Sequence, residues 1–255
     1  MLQRLTQHIY CYPCEYYSDR PNIGYIAGDR AALLFEAGAS ADHAQAIRKD
    51  LNNAGLCMPA YIAVSHWHWD HTFGLHAWDG ISVAGKMTND HLRQVARWKW
   101  TQEAMENRVC TGEDIQFCHD MILREYPNLQ DITVCPAQVE FTDTLTIDLG
   151  GVTCQLRHVA GPHGEDSVVC WIPEDEFLFL GDSHGKDLYG LPWKFDIAHE
   201  EDLVPTLESL PYDPEKLCPY RAILEEIPFT SCIGGHDAVM TKEELMNDLK
   251  GDVMP

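Results

Sequence analysis

Residues 65–71 read Ser65-His66-Trp67-His68-Trp69-Asp70-His71, and they follow directly on the apolar run Tyr61-Ile62-Ala63-Val64. Three imidazoles and one carboxylate therefore crowd the end of what reads as a buried strand. In extended backbone, His66 and His68 point to the same side, because side chains alternate with a period of two. Trp67 and Trp69 then face away or pack at the sides. Asp70 and His71 come where the chain should turn into the next element. Two imidazoles on one side, then a carboxylate and a third imidazole around a bend, can address two neighbouring points in space. A pair of metal ions needs that arrangement. Mixed imidazole and carboxylate donors suit zinc, iron, manganese or nickel, and not calcium. The alternative is a polar loop with stacked surface aromatics, and so dense a run of ligand-type residues weighs against it.

Three further ligand-type residues stand just past apolar runs. His163 lies in Ala160-Gly161-Pro162-His163-Gly164-Glu165-Asp166-Ser167, Asp182 ends Phe177-Leu178-Phe179-Leu180-Gly181-Asp182, and His236 follows Gly234-Gly235. In each case a neighbouring glycine allows a sharp turn or a close backbone approach. Taken singly, each is an ordinary loop residue. Beside residues 66–71 they supply what a two-metal site still lacks.

The rest of the chain reads as one continuous domain, 1–255, with no repeat, linker or low-complexity tract. Residues 22–38 suggest two short strands joined at Gly28-Asp29. A helix should run from Ser40, a good N-cap, to Gly55, with Ala44, Ile47 and Leu51 as its apolar stripe. The apolar segment 177–180 suits a strand buried on both faces, and a last strand is expected at 229–233. Residues 86–130 look helical and interrupt two strand-rich regions, as an insertion near the site would. One helix there is expected over 114–126, with Ile115, Cys118 and Ile122 inward. Helical turns are expected around 200–227, and a capping box opens the last helix at Thr241 and Glu244.

The net charge is −22, from 18 basic and 40 acidic residues. Such a surface repels phosphate backbones, so nucleic acid is not the expected partner; Arg93, Arg97 and Lys99 read as a solvated helix face. No segment approaches the roughly 20 apolar residues of a membrane span, and no apolar leader is apparent. A cytoplasmic protein without membrane contact is the expectation. The ten cysteines are scattered, and Cys11 and Cys14 read as free thiols.

His66-x-His68-x-Asp70-His71, then His163, Asp182 and His236, in this order and on strand ends, resembles the metallo-β-lactamase superfamily over nearly the whole chain. The resemblance implies an α/β fold, a four-layer αββα sandwich with the metals at one edge. It implies two divalent ions, zinc first, with iron or manganese as alternatives. One ion would take His66, His68 and His163; the other would take Asp70, His71 and His236; Asp182 would bridge both. It also implies hydrolysis of a small molecule, an ester, lactone or thioester carbonyl attacked by a hydroxide held between the ions, with Asp70 orienting the hydroxide or passing its proton. Phosphodiester or sulfate-ester cleavage, iron-dependent oxidoreduction and non-catalytic metal binding are the rival readings.

Several details bear on the branch. The β-lactamases of the superfamily generally lack the bridging aspartate, so Asp182 argues against antibiotic hydrolysis. The third motif commonly reads Pro-Gly-His-Thr-Pro-Gly-Ser; here Glu165 and Asp166 intrude, and they read as solvated loop residues or, as the alternative, as groups that favour a cationic or amine-bearing substrate over an anionic one. Glu36 stands where members often carry the aspartate of Asp-x-Gly, and is expected to hydrogen-bond in its place. His184 is a candidate general acid or substrate contact, weighed against an exposed turn histidine. Trp67, Tyr189 and Trp193 are candidate pocket residues. Trp98 and Trp100 fit a lid or, more simply, packing. A homodimer is expected of many such folds, although no stretch of sequence specifies an interface.

Overall fold

The computed structural model describes residues 1–189 and 212–251. Two sheets form the frame. The first holds seven strands in chain order: β1 (Gln3–Arg4), β2 (Ile9–Tyr12), β3 (Ile23–Ala27), β4 (Ala32–Phe35), β5 (Tyr61–Val64), β6 (Ile81–Gly85) and β7 (Val139–Phe141). Its first half is an antiparallel meander, and β4 to β7 run parallel. The second sheet holds β8 (Thr144–Asp148), β9 (Thr153–His158), β10 (Val168–Ile172), β11 (Phe177–Gly181), β12 (Ser231–Gly234) and β13 (Met240–Thr241). Only β11 and β12 are parallel there.

Side-chain alternation builds four layers from these strands. In β4, Leu33 and Phe35 face the second sheet and Leu34 faces outward; in β11, Phe177 and Phe179 face inward while Leu178 and Leu180 face outward. Both strands are apolar throughout because both of their faces are covered. Between the sheets, Ile9, Ile26, Leu33, Phe35 and Val83 meet Leu156, Val168, Phe177, Phe179 and Ile233. Fully burying each such side chain contributes about 1.5–3 kcal/mol.

Outside the first sheet lies α1 (Ala41–Asn53), which buries Ala44, Ile47 and Leu51 as expected. Ser40 caps it by accepting from the His43 amide at 3.0 Å. Outside the second sheet, α6 (Pro214–Glu226) and α7 (Lys242–Gly251) cover the outward residues of β10 and β11 with Leu217, Tyr220, Leu224, Leu245 and Leu249. The capping box forms: the Thr241 amide and hydroxyl both donate to Glu244, and the Glu244 amide donates back to Thr241. The αββα sandwich is thus observed.

Between β5 and β7 the chain forms α2 (Trp69–Thr72), α3 (Lys86–Val95), α4 (Gln102–Thr111) and α5 (Gln116–Glu125). Ile115, Cys118 and Ile122 are buried, packed with Trp69, Phe73 and Met121 under the residue 65–71 loop. No helix among the described residues is long and apolar enough to cross a membrane. Among those residues the cysteines, Cys11 and Cys14 included, are free.

Two expectations shift. The last strand begins at Ser231, two residues later than expected, because the Phe229 amide donates back to the Ile227 carbonyl and the Thr230 amide to the Glu176 carbonyl. β5 stops at Val64, so His66 and His68 do not lie in extended strand; they lie in the bend that enters α2.

Candidate metal centre

The bend is fixed before it reaches the first histidine. The Ser65 amide donates to Glu36 Oε2 at 3.1 Å, and the Ser65 carbonyl accepts from the Val168 amide of the opposite sheet at 2.8 Å. His68 then occupies the N-cap of the single turn α2, which carries Asp70 and His71. The Thr72 hydroxyl locks that turn by donating to the His68 carbonyl at 2.9 Å. His66 and His68 converge through this turn, with ring centroids 4.4 Å apart.

His163 arrives from the loop between β9 and β10, Asp182 from the end of β11 and His236 from the end of β12. Two donor clusters result: His66, His68 and His163, and Asp70, His71, Asp182 and His236. His163 Nε2 faces His68 Nδ1 at 3.0 Å. Asp70 Oδ2 lies 2.9 Å from His71 Nε2 and 3.2 Å from His236 Nε2. Asp182 Oδ2 lies 3.4 Å from His71 Nε2, 3.7 Å from His236 Nε2 and 3.8 Å from His163 Nε2. One carboxylate oxygen thereby reaches both clusters. His66 Nε2 and His71 Nε2 are buried without a hydrogen-bond partner. Seven donor groups converge and leave such atoms unsatisfied, which fits two divalent cations.

The inward nitrogens are selected by what holds the outward ones. His71 Nδ1 faces Glu36 Oε1 at 3.2 Å, His66 Nδ1 meets Ser65 Oγ at 2.9 Å, and His163 Nδ1 donates to the Lys186 carbonyl at 2.9 Å. Their Nε2 atoms therefore point to the centre. Glu36 supports the site as expected, from a left-handed backbone at φ 79°.

The two clusters differ in electrostatic environment. Burial lowers the pKa of His66 and takes His68 down to about 3. Burial would also lower His71 and His236, but nearby carboxylates outweigh it: Asp70, Asp182 and Glu36 raise His71, and Asp19, Asp182 and Asp70 raise His236 to about 10. Burial opposes ionisation of Asp70 and Asp182, yet His71 and His236 hold both below the ordinary carboxylate range.

The family model for the metallo-β-lactamase superfamily matches residues 18–221. The chain belongs to that superfamily. A curated relative, a type 2 metallo-β-lactamase from Bacteroides fragilis, is 42% identical over 41 residues, and that match spans only 16% of either chain. A metallo-β-lactamase from Pontibacter korlensis superposes with a TM-score of 0.65 at 14% identity, over 98% of this chain and 97% of that one. A motif mutant of the metallo-β-lactamase from Cronobacter sakazakii gives 0.64 at 16% identity, over 99% and 93%. At such identities the likeness shows the shared fold. Superfamily membership and the donor clusters together support a metal-dependent hydrolase in general terms.

Around this superfamily centre, the departures from its usual third motif take on definite roles. Glu165 is exposed as expected. Asp166 is not solvated: it is 3% exposed, and its Oδ2 accepts from the Trp67 amide at 3.0 Å. Burial raises its pKa. Asp166 thus ties the His163 loop to the residue between His66 and His68. The reading of Asp166 as solvated overlooked that a loop carboxylate can fold back onto an amide with no other acceptor.

Trp67 is half-buried, stacked on His91 at 5.3 Å, with Tyr189 5.4 Å away; both Trp67 and Tyr189 pack beside the His68 ring. The Tyr189 hydroxyl donates to Asp114 at 3.0 Å. Trp193 lies outside the described residues. Trp98 and Trp100 pack on the buried Arg108 guanidinium at 4.4 and 4.8 Å. His184 is no exposed turn residue. Its Nε2 pairs with Asp237 Oδ2 at 2.9 Å, joining the loop after Asp182 to the loop after His236. It stands outside both donor clusters.

Proposed function

We propose that this chain is a binuclear metal-dependent hydrolase acting on the carbonyl of a small ester, lactone or thioester. The observation that carries the reading is Asp182 Oδ2, which stands within 3.8 Å of donor nitrogens from both clusters. Two divalent cations held there would supply Lewis-acid polarisation of the substrate oxygen and lower the pKa of water to about 7. His66, His68 and His163 would hold one ion; Asp70, His71 and His236 would hold the other.

Asp70, 2.9 Å from His71 Nε2 and 3.2 Å from His236 Nε2, faces the position a nucleophile would take and would orient it. Glu36 Oε1, 3.2 Å from His71 Nδ1, would orient that ring. Trp67 and Tyr189 wall the side of His68 with apolar surface, which excludes water from that flank.

The test is metal content per chain, paired with turnover of a lactone, a thioester, nitrophenyl acetate and bis-nitrophenyl phosphate. Near two ions with turnover of one of the first three supports the reading. Turnover of the phosphodiester alone moves the bond class. Bound iron with oxygen uptake and no hydrolysis, or no turnover after reconstitution, overturns it.

A further inference from the structure

We propose that Asp19 is the positioning residue for His236, and so controls the affinity of the second metal ion. The inference rests on the two-ion reading above. His236 is the last ligand to arrive and the most exposed of its cluster, with 23% of its side chain open against 15% for Asp182, 5% for Asp70 and none for His71. Its Nδ1 is buried with no hydrogen-bond partner. The carboxylate of Asp19 stands 3.6 Å from that nitrogen, an ion-pair distance just beyond a hydrogen bond. Glu36, Ser65 and the Lys186 carbonyl hold the outward nitrogens of His71, His66 and His163. Asp19 completes the pattern for His236.

The segment that carries Asp19 is built against the His236 loop. Glu15 and Arg20 exchange backbone hydrogen bonds at 2.8 Å and close a tight turn, in which Asp19 adopts φ 56°. The Tyr16 hydroxyl donates to the His236 carbonyl at 3.0 Å. The Asn22 amide donates to the Gly235 carbonyl at 2.6 Å, and its side-chain amide donates to the carbonyls of Gly234 and Asp237. Backbone on both sides of His236 is therefore held by residues flanking Asp19. On its other side the turn is anchored to α5: Arg20 makes a two-pronged pair with Glu125, both bonds at 2.9 Å, and Ser18 donates to the same carboxylate at 2.8 Å. A chain of contacts thus runs from the helical block through Glu125, Arg20 and Asp19 to a metal ligand. A carboxylate behind an imidazole fixes its tautomer and ring orientation and raises its basicity as a ligand.

The experiment measures both metal affinities by chelator competition in the parent, D19G, D19N and Y16F. Glycine and asparagine tolerate the left-handed backbone at this position, so both Asp19 variants should fold; circular dichroism and melting confirm it. D19G should weaken the second ion by about 10–100-fold and leave the first within about threefold. D19N, which keeps an acceptor oxygen, should fall between D19G and the parent. Y16F, which loses the hydroxyl contact to the His236 carbonyl but keeps the Asp19 carboxylate, should weaken the second ion less than D19G does. The visible spectrum of the cobalt-loaded protein should change for the weaker site alone. Parent-like affinities in D19G overturn the proposal. Equal weakening in D19G and Y16F also overturns it, since the turn and not the carboxylate would then matter. A parent that holds fewer than two ions overturns the two-ion reading itself, which is a separate result.

Discussion

A single methyl group at Gly235 should disable the metal centre while leaving the fold intact. A Cβ built there would lie 2.9 Å from His71 Cε1, and closer still to the Asp182 carboxylate. Carbon atoms pack at about 3.5–4.0 Å, so His71 must retreat by about 0.6 Å or more, and Asp182 by a larger step. Ligand distances in metal sites tolerate only about ±0.2 Å. Gly235→Ala should therefore lower affinity for the second ion by at least about 10–100-fold, the range seen when ligand support is lost. Turnover should fall by about 100-fold, as expected for misplacement of reacting groups on the ångström scale. Gly235 does not carry a positive φ, so backbone strain is not the cause. Overpacking itself costs about 1–3 kcal/mol. The control is Gly28→Ala, whose Cβ would meet Leu149 Cβ at 2.5 Å, between the β3–β4 turn and the second sheet. Both variants should melt lower, by about 2–4 °C per kcal/mol for a chain of this size. Only G235A should lose metal. The assay is chelator-competition titration beside thermal melting. If G235A keeps both ions at parent affinity, or if G28A loses them equally, the geometric argument fails.

Other consequences follow from the same contacts. Asp166→Ala should cost about 1.5–3 kcal/mol, the worth of a hydrogen bond to a charged group, and D166N should lose less because its amide oxygen still accepts from Trp67; equal melting points for the two would count against this role. Removing both ions by chelation should lower stability by about 2.7 kcal/mol for each ion present at a hundredfold over its Kd, and an unchanged melting point on chelation would contradict the site. His43 is buried, and burial takes its pKa down to about 3 from 6.5. It is neutral in the folded protein, so its contribution is complete above pH 6.5 and is lost as pH falls toward 3, at about 1.4 kcal/mol per pH unit. The acid limb of stability should flatten in His43→Gln relative to the parent; parallel limbs would refute this assignment.

The donor clusters were legible because four of their residues crowd positions 66–71, Asp182 and His236 stand at glycine-marked strand ends, and His163 lies in a glycine-flanked loop. The elements with strong local signals were legible too: α1 with its Ser40 cap, β5, and the wholly apolar β11. Short strands such as β2, β6 and β7 carry little local signal, and pairing with a neighbour decides them. The supporting carboxylates were harder. Glu36 could be read from its place after an apolar hairpin strand. Asp166 could not, because its partner is an amide 99 residues earlier. Asp19 was silent, since nothing in a turn near the N-terminus announces a histidine near the other end of the chain. His184 showed only as a titratable group near Asp182; its partner, Asp237, becomes its neighbour only when β11 and β12 pair.

The glycines beside the ligands show how the two sheets make one site. Read from sequence, they allow either a sharp turn or a close approach, and the packing decides which. Gly181 does both: it sits at φ 53°, and a Cβ there would meet Ser65 Cβ at 2.5 Å. Gly235 serves the close approach, facing Asp182 and His71. Backbone bonds run through the same residues. The Val168 amide donates to the Ser65 carbonyl at 2.8 Å across the sheets, the Gly235 amide donates to the Gly181 carbonyl at 2.8 Å, and the Asn22 amide donates to the Gly235 carbonyl at 2.6 Å. Ser65 precedes the first ligand, Gly181 precedes Asp182, and Gly235 precedes His236. Each stitch between elements thus sits one residue from a donor, so the backbone contacts that close this edge of the sandwich also set the distances among the donors. A side chain larger than hydrogen at Gly181 or Gly235 would force those strand ends apart, and the metal centre would open before the core between the sheets felt the change.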